Sequence, residues 1–422
     1  MPLQKLPTAN LDDINHRRRS RETLNKILDH SFDDSRVRTP AEVAAGIIPV
    51  NYAYAPGDAR RYGWSATNTG AQNYAALVAA NAAATQAGDR LFIPSGVYPY
   101  DPSAVIEITC EWTGANVYNT IIDCTGSSYT GEFFRLVGSN EIYDLWLKND
   151  SQDGIALRLA AASTPDFTGH QRVTRVWVFG FEYGFRCENV FALTLDQCRA
   201  EENIEGFYCV PDNTGGGDRG YVTTHIHLNC LYFNNDRNIL YNSANISNCV
   251  EFICGSNEGA SGAAVQAQFV NVSRLLLSRW YCEGASGIPA IIFDNCAVEI
   301  NGLYLNGTGG INCGANDVLL TMKHVGATSS TDVFTASGGS GQTISMQQCA
   351  FPSSGNTLPS APASVSLKDT SINGTLYVGD WVFELAFRKT PTNYADDTAA
   401  AAGGLAVGQV YRTGSALKVR VS

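Results

Sequence analysis

Residues 172–309 write one short motif five or six times, and that repetition narrows the possible folds more than any other feature of the chain. The copies are RVTRVWVFGFEY (172–183), LTLDQCRAEENIEG (193–206), IHLNCLYFNNDRN (226–238), ISNCVEFICGSNEG (246–259), LLLSRWYCEGASG (275–287) and VEINGLYLNGTGG (298–310). Each alternates apolar and polar residues, turns at Asn, Asp or Gly, and begins again. Recurrence at roughly 20–33 residues is the spacing of a solenoid. Alternation at i, i+2 describes a strand that buries one face. A single coil of such strands has too little core, whereas stacked parallel coils bury a continuous one. The expected fold is therefore all-β: a right-handed parallel β-helix solenoid, with a short N-terminal helical adaptor and a C-terminal β-rich module.

Laying the copies on one another gives an expected inward register. Its pairs are Trp177 and Phe179, Cys198 and Ala200, Leu231 and Phe233, Phe252 and Cys254, Trp280 and Cys282, Leu303 and Leu305. The next residues are Gly180, Glu201, Asn234, Gly255, Glu283 and Asn306, so turn-forming types gather at one corner.

Composition limits the partners. The formal net charge is −11, the wrong sign for sequence-independent nucleic-acid binding or for an acidic membrane surface. The opening MPLQKLPTANLDD has no apolar core of a signal peptide, and no apolar run is long enough for a transmembrane helix. The 12 cysteines form no CxxC pair, so small buried thiols are expected, with no metal and no cofactor. Free thiols suit assembly in a reducing cytoplasm.

In chain order, residues 8–32 read as a helix, capped at Thr8 or Asn10 and carrying the basic run HRRRSR at 16–21. That run reads either as a solvated face or as a docking surface. A second helix is written in TPAEVAAG (39–46), with Thr39 and Glu42 spaced as a capping box, Pro40 at its start and Gly46 as stop. The division expected is 1–50 as attachment segment, 51–100 as entry and capping helix, 101–374 as β-helix body, and 375–422 as C-terminal strands.

Residues 60–100 run as strand, polar loop, helix, strand and then LFIPSGVY (91–98). This order resembles the entry of pectate-lyase-like β-helix proteins, which many bacteriophage tailspikes share. The loop GWSATNTGAQN (63–73) lacks the aspartates usual there. The helix 71–86 would lay Tyr74, Leu77, Val78 and Ala82 over the open end of the first coil. Residues 38–63 are similar to a leader ahead of phage β-helix domains, and residues 394–422 resemble a terminal module of phage virion proteins. The resemblance implies a homotrimeric tailspike in the virion, assembled in the host cytoplasm. It would dock on a tail or baseplate protein through residues 1–50 and recognise a host surface polysaccharide. Two alternatives stay open: a non-catalytic structural or receptor-binding tail protein, and a bacterial polysaccharide hydrolase or lyase.

Among residues that could do chemistry, carboxylates stand out. Glycoside hydrolysis uses two, about 5–5.5 Å or 6.5–9.5 Å apart, and parallel coils lie about 4.8 Å apart. Glu182 is followed one coil later by Glu201, Glu202 and Glu205, then by Asp236 in line with Glu182, and Glu283 lies farther on. These are the candidate catalytic residues, against the plainer reading that they are solvated turns. Tyr183, Tyr208, Tyr232 and Tyr281 are the candidate sugar-stacking rings, while Trp177 and Trp280 are expected in the core. The histidines of HIH (225–227) share a strand face and read as surface residues. Elimination would need a Lys or Arg cluster, and none is evident in the pattern.

Overall fold

The computed structural model describes residues 38–160, 168–188, 190–209, 223–259, 265–284, 288–314, 316–329, 333–336, 342–352, 355–358, 364–373, 375–384, 394–403, 410–413 and 416–419. The helix expected at 8–32 and its basic run lie outside these residues. The fold is a right-handed parallel β-helix of about 10 turns with 11% helix. The chain divides into two compact units, Met1–Leu240 and Tyr241–Ser422.

The first unit opens with helix α1 (Pro40–Ala44), where Thr39 and Glu42 form the expected capping box. The Glu42 carboxylate also accepts from Arg61 Nε at 2.6 Å, Arg61 Nη2 at 3.1 Å and the Tyr62 hydroxyl at 3.0 Å. Helix α2 (Gly70–Ala87) starts at a Thr69–Gln72 capping box and stops at left-handed Gly88. Its inner face is rotated from the expected one. Asn73, Ala76, Leu77, Ala80, Ala83 and Ala84 are buried, while Val78 is exposed. Two bonds draw Asn73 inward, from Nδ2 to the Ser65 and Pro99 carbonyls at 3.0 and 2.8 Å. The small alanines let the helix approach the strands closely, and Asn81 accepts from Trp112 Nε1 at 2.9 Å.

The coils stack in register, so that buried residues form columns. One buried column runs Leu91, Trp112, Ile142, Val173, Leu195 and His227. Another, on the second sheet, runs Ile106, Phe134, Leu157, Phe185 and Phe207. Each such Leu, Ile or Phe contributes about 1.5–3 kcal/mol by leaving water.

Corners are made by left-handed residues, most of them not glycine. Asp144, Arg175, Gln197 and Asn229 (φ 58°, 50°, 54° and 52°) turn successive coils at one position, and Gly180, Glu202 and Asn234 (φ 75°, 53° and 52°) turn them at another. Side-chain alternation resets at every such residue. The expected inward register is therefore correct at Cys198 and Ala200 but one residue out in the coils before and after. There the inward residues are Val176 and Val178, then Cys230 and Tyr232. Trp177 lies on the outer face, half-buried between Tyr118 and Trp146 at ring distances of 4.9 and 5.7 Å. Gly180 is required at its corner, because a Cβ would sit 2.3 Å from the Asn149 carbonyl oxygen.

In the second unit, Leu277, Ile300, Met322, Met346 and Leu367 form one buried column. Trp280 and Cys282 stack inward on Leu303 and Leu305, as expected. Phe252 is level with Leu277, and Asn257 rather than Cys254 is level with Cys282, so the pairing expected for that coil is corrected. Strand Thr375–Glu384 runs antiparallel to Ser364–Ile372, ending the parallel progression. All 12 cysteines are free, and all but Cys249 and Cys254 are buried.

Candidate functional site

The corner at 182–205 divides the four candidate glutamates. Glu201 faces outward from the long sheet, paired with Arg199 Nη2 at 2.7 Å. Arg199 in turn lies over the Trp177 ring at 5.4 Å. Glu202 occupies the left-handed turn with its side chain in solvent. Glu205 starts the strand Glu205–Cys209 on the second sheet, level with Tyr183 one coil earlier. Its amide donates to the Glu182 carbonyl at 2.7 Å, so Glu182 and Glu205 are near neighbours on consecutive coils. Asp236 follows on the next coil, where its amide donates to the Asn203 carbonyl at 3.0 Å, in line with Glu182.

A ladder of buried amides holds this corner. Asn203 Oδ1 accepts from the Phe181 amide at 2.9 Å. Asn203 Nδ2 donates to Asn235 Oδ1 at 2.8 Å, and Asn235 Nδ2 donates to Asn238 Oδ1 at 2.7 Å. Turn amides that would otherwise be orphaned in the interior are thus satisfied, which sets the level of Glu182, Glu205 and Asp236.

Above the corner, Tyr183 and Tyr208 meet edge to face at 4.8 Å. The Arg186 guanidinium lies 5.2 and 5.8 Å from their ring centres. Arg186 Nε donates to Glu188 at 2.6 Å, and Arg158 bridges Glu188 and Glu132. Arg237 binds Glu205 through Nε at 2.9 Å and Nη2 at 2.5 Å. These arginines are the cluster that the apolar pattern did not reveal. Reading the outward positions of Tyr183–Glu188 and its neighbours down one column would have found them.

Burial pushes the Glu205 carboxyl above its ordinary value; Arg237 pulls it back, and the charges of Asp236 and Glu182 push it up further. Tyr183 is raised first by burial and next by the charge of Glu182, while Tyr208 is raised by burial against the pull of Arg186. A carboxyl that keeps its proton longer, beside a second carboxylate and under two tyrosines, can donate a proton to a bound sugar oxygen.

The remaining candidates separate from this corner. Tyr232 is buried inside the coil, its hydroxyl 2.6 Å from His227 Nδ1, so it cannot stack on a sugar. His225 and His227 share one strand face, as expected, but that face is the interior, and both are fully buried. Burial lowers His225 to about 4. Glu283 and Tyr281 belong to the second unit, where the Tyr281 hydroxyl donates to Glu283 at 2.5 Å and its ring stacks on Tyr304 at 5.7 Å.

Comparison with solved structures finds other β-helices. Phage tailspikes are among the structural neighbours. The enzymatically active domain of bacteriophage CBA120 tailspike protein 2 is similar at 12% identity and a TM-score of 0.48, over 71% of this chain and 47% of that one. Full-length tailspike protein 2 of an Escherichia coli O157:H7 bacteriophage is similar at 12% identity and a TM-score of 0.46, over 71% of this chain and 43% of that one. The catalytic unit of a GH87 α-1,3-glucanase from Streptomyces thermodiastaticus is similar at 12% identity and a TM-score of 0.41, over 76% and 68%. The chain thus spans less than half the length of either tailspike structure. No family model matches the chain, and no curated protein matches it.

Proposed function

We propose that this chain is a phage tail protein that binds a bacterial surface polysaccharide across Tyr183 and Tyr208 and cleaves it with Glu205 and Glu182. The observation that carries this reading is the backbone bond that sets Glu182 and Glu205 one coil apart, with the Glu205 carboxyl raised above its ordinary value beside two partly exposed rings. Glu205 is the acid that protonates the leaving oxygen. Glu182 is the carboxylate that activates water or attacks the sugar, with Asp236 in line behind it. Arg237 holds Glu205 in place, and Arg186 orients the tyrosines. Resemblance of residues 38–63, 60–100 and 394–422 to phage virion proteins supports the tail assignment, with residues 1–50 docking the chain to a tail or baseplate protein.

Binding without cleavage is the second reading. It is favoured by Arg237, which occupies both oxygens of Glu205. Incubation with a panel of purified capsular and O-antigen polysaccharides separates the two. New reducing ends support hydrolysis, unsaturated sugars would move the chemistry to elimination, and retention with no products leaves a receptor-binding protein. If no polysaccharide in the panel is retained, the proposal fails.

A homotrimer is part of the same proposal. Its contact surface is assigned to the outer row Trp146 and Trp177, which continues in register to Arg199 and Leu231. Sedimentation equilibrium should find trimers for the intact chain and dissociation for Trp177→Glu.

A further inference from the structure

Inside the first unit, Cys187 and Cys209 occupy the same level on consecutive coils of the second sheet. Their sulphurs lie within 4.8 Å of each other. His225 reaches them from strand Thr223–Leu228 on the long sheet. The two sulphurs and a ring nitrogen of His225 all lie within 4.8 Å of one another, and all three residues are buried. We propose that Cys187, Cys209 and His225 bind a zinc ion within the coil.

The donor set fits that metal. Zinc takes thiolate sulphur at about 2.3 Å and imidazole nitrogen at about 2.0–2.1 Å, so the three atoms need to close up by at most about 1.3 Å. His225 Nε2 lies 3.0 Å from the Val190 carbonyl oxygen. A carbonyl can only accept, so Nε2 carries the proton and Nδ1 the lone pair. Such a bond from one ring nitrogen to a backbone carbonyl is the usual support of a metal-bound histidine. Charge selects the ion. Two thiolates and a neutral imidazole carry two negative charges, which a divalent cation cancels. A monovalent cation would leave a net charge in an apolar interior, which is costly. Binding expels two thiol protons to solvent, one from each cysteine. Elsewhere in the unit, the Cys198 and Cys230 thiols donate to the Val173 and Leu195 carbonyls, and no histidine completes a cluster with them among the described residues. His227 instead meets the Tyr232 hydroxyl and the Phe207 ring.

A zinc ion here would tie the strands carrying Tyr183 and Tyr208 to the opposite sheet, independently of what those tyrosines bind. The test uses the full chain, expressed in zinc-supplemented and in cobalt-supplemented medium and desalted without chelator. About one zinc per chain is expected by elemental analysis. The cobalt protein should show the near-ultraviolet charge-transfer band of thiolate ligation. Cys187→Ser and His225→Ala should hold less than about a tenth of the wild-type metal, and Cys198→Ser should match wild type. Wild-type protein free of metal and of the cobalt band overturns the proposal, whether or not the variants fold. Metal content unchanged in Cys187→Ser and His225→Ala overturns it as well.

Discussion

The Glu205 amide donates to the Glu182 carbonyl at 2.7 Å, which sets these two glutamates on consecutive coils one residue apart in register. If they form the catalytic pair, Glu205→Gln and Glu182→Gln should each lower polysaccharide cleavage on the order of 10²-fold or more, with binding retained. Glu202→Gln should leave cleavage unchanged, because that side chain points into solvent. Reducing-end assays on the three variants check this, and full activity in both Glu182→Gln and Glu205→Gln removes the corner from consideration.

Arg237 opposes the burial that raises Glu205. Without it, Glu205 is a half-buried carboxylate lacking its cation, and Arg237→Met should cost about 1–3 kcal/mol at pH 7. The sign with pH follows from the raised carboxyl. The cost is present while Glu205 is ionised and is relieved as pH falls through its folded pKa. Urea midpoints of wild type and Arg237→Met should therefore converge toward pH 4. A gap that widens on acidification would contradict this account.

Glu42 behaves in the opposite way. Burial pushes its carboxyl up, but bonds from Arg61, the Thr39 amide and Tyr62 outweigh it and leave the carboxyl below its ordinary 4.5. Its stabilisation is full above 4.5 and fades as pH falls through the lower folded value. Glu42→Gln should cost about 3–5 kcal/mol at pH 7, since it leaves Arg61 buried without its counter-charge. A chain beginning at residue 38 should melt like the full chain, whereas one beginning at residue 51 should share the loss seen for Glu42→Gln. Thermal denaturation of the three proteins decides it.

Asn235 links Asn203 to Asn238 beneath the candidate site. Asn235→Ala strands several buried groups, each worth about 1–3 kcal/mol, and should lower stability more than any single change at an outward tyrosine. Tyr183→Ala and Tyr208→Ala should weaken polysaccharide binding with little change in melting temperature. Tyr232→Phe should leave binding untouched and cost about 1 kcal/mol through its lost bond to His227. Calorimetry together with affinity electrophoresis reads both effects.

Period-two alternation within a repeat of 20–33 residues was enough to predict a parallel β-helix, because a one-faced strand of that spacing can bury its apolar side only against copies of itself. The capping box at Thr39 and Glu42 was legible for a similar reason: its bonds close within one turn. Two further properties were set by contacts distant in sequence. Left-handed corners at Arg175, Gln197, Glu202 and Asn229 reset the alternation without a glycine to announce them. This turned Trp177 outward, Tyr232 inward, and separated Glu202 from Glu205. Arg186, Arg237 and the Cys187–Cys209–His225 cluster are set by how strands far apart in the chain stack, since Cys187 meets Cys209 one coil on and His225 comes from a different sheet. Local pattern says which face of a strand is apolar; the vertical register between coils says which polar groups meet.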